Sequence, residues 1–274
     1  MNKEKGMAAQ IDAGEAILGI EFGSTRIKAV LINSENTPIA SGAFDWQNSL
    51  ENGIWTYSIE EIQNGLRTCY ANLKADVKSK YGVILKKLKA FGVSAMMHGY
   101  LVFDKDDKLL VPFRTWRNTI TGEAAEKLSE LFDYPVPERW SISHLYQAIL
   151  KNEPHVKNAA FFTTLAGYVH KLLSGEKVLG IGDASGMFPV DSETKNYDKN
   201  MIAKFDNLVS KYNFPWKLEE MLPKVLKAGQ QAGVLTEQGA KFLDSDGDLC
   251  AGCPLAPPEG DEQAWLRQTV LHLE

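Results

Sequence analysis

Residues 17–33, ILGIEFGSTRIKAVLIN, constrain the fold more than any other stretch of the chain. Two apolar runs, ILGI and IKAVLI, enclose the polar turn EFGSTR. β-Branched residues are frequent, and no helical face runs through the whole segment. The pattern predicts a strand, a tight turn and a second strand. Gly23 is expected to let the backbone turn where a side chain would clash. Ser24, Thr25 and the turn amides have the donors to hold phosphate oxygens. Arg26 and Lys28 add positive charge nearby, and Glu21 is suited to hold a metal ion, directly or through water. The same residues also suit an ordinary hairpin with a polar turn.

A hairpin of this kind needs a sheet to join. With 274 residues, 44% of them hydrophobic, the chain has the material for one large domain or two small ones. Its net charge of −5 gives no sign of a nucleic-acid surface or a polybasic membrane patch. No apolar run is long enough to cross a bilayer, and the opening MNKEKGMAAQIDAGEA lacks the apolar segment of a signal peptide. Residues 1–14 read as a flexible leader. Three cysteines, Cys69, Cys250 and Cys253, fit a reducing cytoplasm without a disulfide framework. Cys250 and Cys253 have redox or metal spacing, but no second pair exists to complete a zinc site. They also read as two small side chains in a strand and a loop.

Further along, residues 38–46 (PIASGAFDW) can supply a third strand. A helix is predicted from Ser58 to about Tyr81, with Ser58 as N-cap and Glu61 at the capping-box position. Residues 88–96 read as a buried strand ending in MMHGY, after which LVFD resumes a strand. Helices are expected over 121–132, 142–151 and 164–174, the last stopping at Gly175. Residues 180–191 (GIGDASGMFPVD) read as a glycine-rich loop leading into a short strand. Helices over 198–211 and 234–243 follow, the second capped by Thr236. Strands first, then helices alternating with strands, argue for an α/β domain.

Several landmarks, in order, resemble the FGGY carbohydrate kinases, in particular their xylulokinase-like members. GIEFGSTRIKAVL resembles the family's first phosphate-binding hairpin. GVSAMMHGYLVFDKDDKLLVPFRTWRN resembles the sugar-site segment, where a Met-His-Gly triplet precedes a Trp-centred motif. GDASGMFPVD resembles a loop in the middle of the first domain, and LPKVLKAGQQAGVLTEQGAKFL with APPEGD resembles the segment that closes it. The resemblance runs from about Ala16 to Asp261. It implies a ribonuclease-H-like, actin-like fold, with a mixed sheet flanked by helices, and transfer of the ATP γ-phosphate to a sugar or polyol hydroxyl with Mg²⁺. A ketopentose such as xylulose is the implied substrate.

The same resemblance assigns roles. Asp261, after Gly260, matches the catalytic base, which accepts the hydroxyl proton as the oxygen attacks phosphorus. Without the family match it would read as a surface-turn aspartate. Met97 and His98 match the sugar-contacting pair, and Trp116 is either another wall of that pocket or a core residue. Gly23, Ser24, Thr25 and Arg26 match the phosphate turn, and Glu21 and Asp261 match the groups near the metal. Three positions depart from the pattern: Glu21, Asn118 and Gly180 each stand where Asp is common. Asp183 occupies an Asn-or-Asp position and is assigned a supporting role.

Family members are about two domains long, so residues 15–261 read as the first domain, with the second domain absent. After Asp261 the family continues roughly AGTGMVATNSVAPR, whereas this chain reads EQAWLRQTVLHLE. A coding strand for that tail, shifted by one base, reads GTGMVATNSVAPR. Residues 262–274 therefore read as an out-of-frame translation, and the chain alone is expected to be inactive. Two other readings are a non-catalytic sugar-binding fragment and another actin-like ATPase. MMHG and PEGD at their expected places argue against the latter.

Overall fold

The computed structural model describes residues 2–261. The expected out-of-frame tail, 262–274, lies outside them. The predicted hairpin forms from strands Ile17–Phe22 and Arg26–Ile32, paired antiparallel with Ile17 opposite Ile32 and Phe22 opposite Ile27. Strand Pro38–Asp45 continues the meander beside Arg26–Ile32. On its other edge Ile17–Phe22 pairs parallel with Ala90–Ala95, which in turn pairs parallel with the short strand Glu259–Gly260. One five-stranded mixed sheet results. Every residue of Ala90–Ala95 is buried, as expected for a parallel strand covered on both faces.

Helix Ile59–Tyr81 covers one part of this sheet. Ser58 and Glu61 form the expected capping box, and Gly82 ends the helix with φ 72°. Ile62, Leu66, Cys69, Tyr70, Leu73 and Val77 are buried at three- and four-residue spacing, so the helix presents one apolar stripe to the strands. Helix Leu165–Ser174, capped by Thr164 and ended by Gly175, contributes Leu165, Ala166, Val169 and Leu173 to the same core. A second core gathers around Tyr100 and Phe162, between helices Gly122–Phe132, Ser141–Leu150 and Lys199–Val209. No helix among the described residues is long and apolar enough to cross a membrane.

The fold corrects several expectations. Within the expected leader, residues 1–14, Asn2–Ala13 is a helix whose Ile11 is fully buried, with Met7 packed against the same core. The polar faces of that helix concealed its two apolar anchors. The segment 180–191 is not simply a loop, since Ile181–Ser185 makes a short helix before strand Val190–Asp191. Strand Leu101–Phe103 leaves the main sheet and pairs antiparallel with Phe161–Thr163. A hairpin of Ser49–Glu51 and Ile54–Thr56 was not legible in the sequence pattern. The final helix is shorter than its predicted span, Glu237–Leu243, but is capped by Thr236 as expected.

The buried leader helix generates a direct test. Ile11→Ala should cost about 2 kcal/mol or more, as buried Ile→Ala changes do. That lowers the melting temperature by roughly 4 °C or more for a domain of this size. An unchanged melting curve would mean that the leader contributes nothing to the core.

Candidate functional site

The carboxyl ends of Ile17–Phe22, Ala90–Ala95 and Glu259–Gly260 lie side by side, with Glu21, Ser94 and Glu259 in one row. Open α/β sheets bind ligands just outside such strand ends. After Ala90–Ala95 the chain leaves the sheet through Met96, whose N–H donates to the Phe22 carbonyl at 2.9 Å. His98 and Gly99 then take left-handed backbone conformations, φ 67° and 86°. For a non-glycine residue this conformation costs of order 1–3 kcal/mol and persists only where surrounding contacts enforce it. Those contacts are present: Ser141 Oγ donates to the Gly99 carbonyl at 2.5 Å, and the buried His98 ring lies with Nδ1 3.2 Å from the Gly186 carbonyl. A carbonyl only accepts, so Nδ1 carries the hydrogen, and in the neutral ring Nε2 is an acceptor.

Asp261 approaches from the last strand. Its Oδ1 accepts the Met97 N–H at 3.3 Å. Gly260 allows this approach, because a Cβ there would overlap Met97 Cγ. Ser24, Met96, Met97, His98, Trp116, Arg139 and Asp261 together line a cavity of about 260 Å³. A neighbouring cavity of about 570 Å³ shares Ser24 and Trp116 and adds Thr25, Asp45, Trp46, Asn48 and Arg117. Trp116 is 42% exposed and borders both, which excludes core packing.

The hairpin turn is held from behind. Trp46 Nε1 donates to the Gly23 carbonyl at 2.8 Å, Tyr57 Oη to the Ser24 carbonyl at 2.6 Å, and the Trp46 N–H to the Thr25 carbonyl at 3.2 Å. Trp46 and Tyr57 stack with centroids 4.1 Å apart. Burial pushes the Tyr57 hydroxyl up to about 12, so it stays a donor at neutral pH. With three successive carbonyls engaged, and the Gly23 N–H donated to the Arg26 carbonyl at 3.0 Å, the turn offers a ligand the amides and hydroxyls of Ser24 and Thr25, which suits an anion. Gly23 itself is not in the left-handed region; what limits a side chain there is the Arg26 carbonyl, 3.1 Å from where a Cβ would stand.

The structure brings Ser24, Met97, His98, Trp116 and Asp261 to one cavity and puts Thr25 in its neighbour. Arg26 is placed differently: its Nε donates to Asp45 Oδ1 at 2.5 Å across the antiparallel pair, and it lines neither cavity. Arg117 lines the larger cavity instead, with its guanidinium 4.1 Å from the Trp55 ring centroid and Nη1 donating to Asn48 Oδ1 at 2.9 Å. Asn118 explains its own departure from Asp. Its Oδ1 accepts the Trp55 N–H at 2.9 Å while its Nδ2 donates to the Trp55 carbonyl at 2.8 Å. A carboxylate could make only the first of these bonds. Arg139 in the smaller cavity carried no sequence signal; it precedes the expected helix Ser141–Leu150, and only tertiary packing brings it to the cavity.

Among the described residues no group of three or more His, Cys, Asp or Glu forms a protein metal cage. Mg²⁺ does not need one, because it keeps waters and is held by one or two carboxylates together with phosphate oxygens. Of the two expected carboxylates, Asp261 lines the smaller cavity, whereas Glu21 lines neither and lies with Oε1 beside Gly23. Their strands flank Ala90–Ala95, two strand spacings or about 10 Å apart, and Asp261 is offset further along the strand direction. Glu21 shares a row with Glu259, and Asp261 follows two residues on, just past the end of that strand. A cation between them would be reached partly through water.

Behind Asp261 lie two buried acids. Burial, with the charges of Glu259 and Asp261, pushes Asp183 up to about 8 against the hydrogen bond from Thr164 Oγ1, 2.6 Å from Asp183 Oδ2. Burial likewise pushes Glu259 up to about 7. A carboxylate whose folded pKa is raised stabilises the fold below its unfolded pKa and loses that contribution as pH rises through the folded value. For Asp183 the window runs from about 4 to about 8. Asp183→Asn keeps an acceptor for Thr164 and removes the ionisation. The variant should therefore gain melting temperature relative to the parent as pH rises from 4 to 8. Parallel pH dependences of the two proteins would remove Asp183 as a source of the effect.

Comparison with known proteins completes the description. The model of the FGGY family of carbohydrate kinases, N-terminal domain, matches residues 16–247. Over 201 residues the chain is 24% identical to a xylulose kinase of Klebsiella pneumoniae, covering 69% of this chain and 40% of that protein. Over 266 residues it is 23% identical to a glycerol kinase of Thermococcus kodakarensis, covering 91% and 48%. The chain thus spans about half the length, or less, of these curated relatives. Among solved structures, the xylulose kinase of Rhodospirillum rubrum superposes with a TM-score of 0.73 at 19% identity, covering 91% of this chain and 50% of that one. The gluconate kinase of Lactobacillus acidophilus gives 0.74 at 17%, covering 90% and 48%. The shared architecture is the ribonuclease-H-like, actin-like fold expected from the sequence. The chain belongs to the FGGY family of carbohydrate kinases, and residues 16–247 are its N-terminal domain.

Proposed function

We propose that this domain is the sugar-binding half of a kinase that transfers the ATP γ-phosphate to a sugar or polyol hydroxyl, with a ketopentose such as xylulose as the first candidate. The observation that supports this reading best is the Asp261 carboxylate, held by the Met97 N–H in a cavity shared with His98. In this reading Asp261 accepts the hydroxyl proton, Met97 packs against sugar carbons, and His98 hydrogen-bonds a hydroxyl. Trp116 and Arg139 close the pocket. The hydroxyls and amides of Ser24 and Thr25 bind phosphate oxygens, and Arg117 lines the same cavity. Glu21 and Asp261 hold Mg²⁺ largely through water. When bound, the metal supplies neutralising charge to the phosphates. Xylulose is favoured by the Met97-His98-Gly99 triplet and by the xylulose kinases among the relatives. A glycerol kinase of comparable identity keeps other polyols in the test.

The half-length match to the relatives supports a second element of the proposal, that these 274 residues alone bind sugar but turn over ATP poorly. Phosphoryl transfer needs the γ-phosphate held in line with the hydroxyl by groups on both sides. The described cavities supply the sugar side and one phosphate turn.

Four measurements test this reading. Calorimetry against xylulose, ribulose, xylitol and glycerol should detect weak binding of at least one, and silence from a folded sample toward all four would reject the pocket. Sugar-dependent ADP release should be negligible for this chain and restored when it is extended in the shifted frame beginning GTGMVATNSVAPR. Lost orientation alone corresponds to roughly 7–11 kcal/mol of barrier, so equal rates would overturn the half-enzyme reading. In the extended protein, Asp261→Asn should lower kcat by about 10²–10⁴-fold with sugar affinity nearly unchanged. Gly23→Val should weaken ATP through the 3.1 Å clearance at the Arg26 carbonyl, and parental ATP affinity in that variant would leave the turn an ordinary hairpin.

A further inference from the structure

The short helix Ile181–Ser185 starts at Gly180, which has the extended backbone of an N-cap, φ −66° and ψ 152°, but no side chain to cap with. The first amides of a helix need acceptors, and an N-cap side chain normally serves the second and third residues. Here those residues are Gly182 and Asp183, and the acceptor comes from a different part of the chain. Glu259 Oε2 accepts the Asp183 N–H at 3.1 Å, and the nearby Gly182 amide also favours the charged form of this carboxylate. Glu259 is buried on the strand that closes the sheet. A Cβ built on Gly180 would overlap the Glu259 carboxylate, so the space holds a side chain from residue 180 or from residue 259, but not both.

Both ends of this contact lead into the candidate site. At the far end of the helix, Gly186 donates its N–H to the Asp183 carbonyl at 3.0 Å, and its own carbonyl lies against His98 Nδ1. On the strand, Asp261 follows Glu259 by two residues and is bound to the Met97 N–H. We propose that Glu259 is a positioning residue: a helix N-cap supplied in trans, which ties the strand carrying Asp261 to the helix that orients His98, with Gly180 and Glu259 acting as one exchangeable unit. Its functional meaning rests on the reading of His98 and Asp261 as sugar-site residues.

The test is a double-mutant cycle in the full chain with Gly180→Asp, Glu259→Gly and the two combined, alongside Glu259→Gln. One readout is the melting temperature. The other is the long-range ¹H–¹⁵N spectrum of the His98 imidazole, identified by its loss in His98→Gln. Gly180→Asp pushes a second carboxylate into the first, and Glu259→Gly leaves the Asp183 amide uncapped. Each should melt roughly 4 °C or more below the parent and lose the Nδ1-protonated signature of His98. The double variant moves the cap to residue 180, where Asp is a favoured N-cap, and should recover both readouts. Glu259→Gln keeps an acceptor and should stay near the parent. Additive losses in the double variant, a His98 signature unchanged in both single variants, or collapse of Glu259→Gln would each overturn the proposal. If a single variant fails to fold, a folded double variant with the parental signature still supports it, and an unfolded double variant still overturns it. None of these readouts uses sugar, so absence of sugar binding by the parent would count against the functional reading alone.

Discussion

The structure depends on two parallel strand pairings, Ile17–Phe22 with Ala90–Ala95 and Ala90–Ala95 with Glu259–Gly260. They align three carboxyl ends that are far apart in the chain: Met97 and Asp261, now hydrogen-bonded, are 164 residues apart. Parallel pairing has no local turn to set its register, so burial must do it. Ala90–Ala95 is buried on both faces, and a slip of one residue would take Glu21, Ser94 and Glu259 out of their common row. The candidate site inherits its geometry from that register.

Around the strand ends, opposite electrostatic arrangements stand close together. The hairpin turn has its carbonyls engaged by Trp46 and Tyr57, leaving donors for an anion. A few residues away, Asp183, Glu259 and Asp261 gather negative charge, and burial raises the first two toward neutrality near physiological pH. Holding Asp183 and Glu259 protonated for part of the pH range limits repulsion with Asp261. The arrangement suits a site that must meet a polyanion at one wall and take up a proton at another.

Departures from the family pattern become intelligible as pairs. Asn118 replaces a carboxylate with an amide and uses both amide functions on the backbone of Trp55, fastening the Ser49–Thr56 hairpin beside the larger cavity. Gly180 removes a side chain from a helix start, and Glu259 occupies the space and binds the Asp183 amide left behind. In each case the compensating group is remote in sequence, so neither departure is interpretable from its own neighbourhood.

What the chain declares by itself is what local physics decides. The hairpin of residues 17–33, the Ser58–Glu61 capping box, the Thr236 cap and the Gly175 stop each depend on side chains within a few residues of one another, and each forms as the sequence predicts. Ordered motifs likewise identified the family and nominated Met97, His98 and Asp261, which the fold gathers at one cavity. Tertiary structure alone decided the rest. It turned the polar opening residues into a helix, because Ile11 finds a core no local pattern reveals. It gave Arg26 to Asp45 and Arg117 to the cavity, because cross-strand register determines which charges meet. It exposed Trp116 and brought Arg139 beside Asp261. It also joined Glu259 to Gly180, a contact across 79 positions that exists only because the last strand closes the sheet next to Ala90–Ala95.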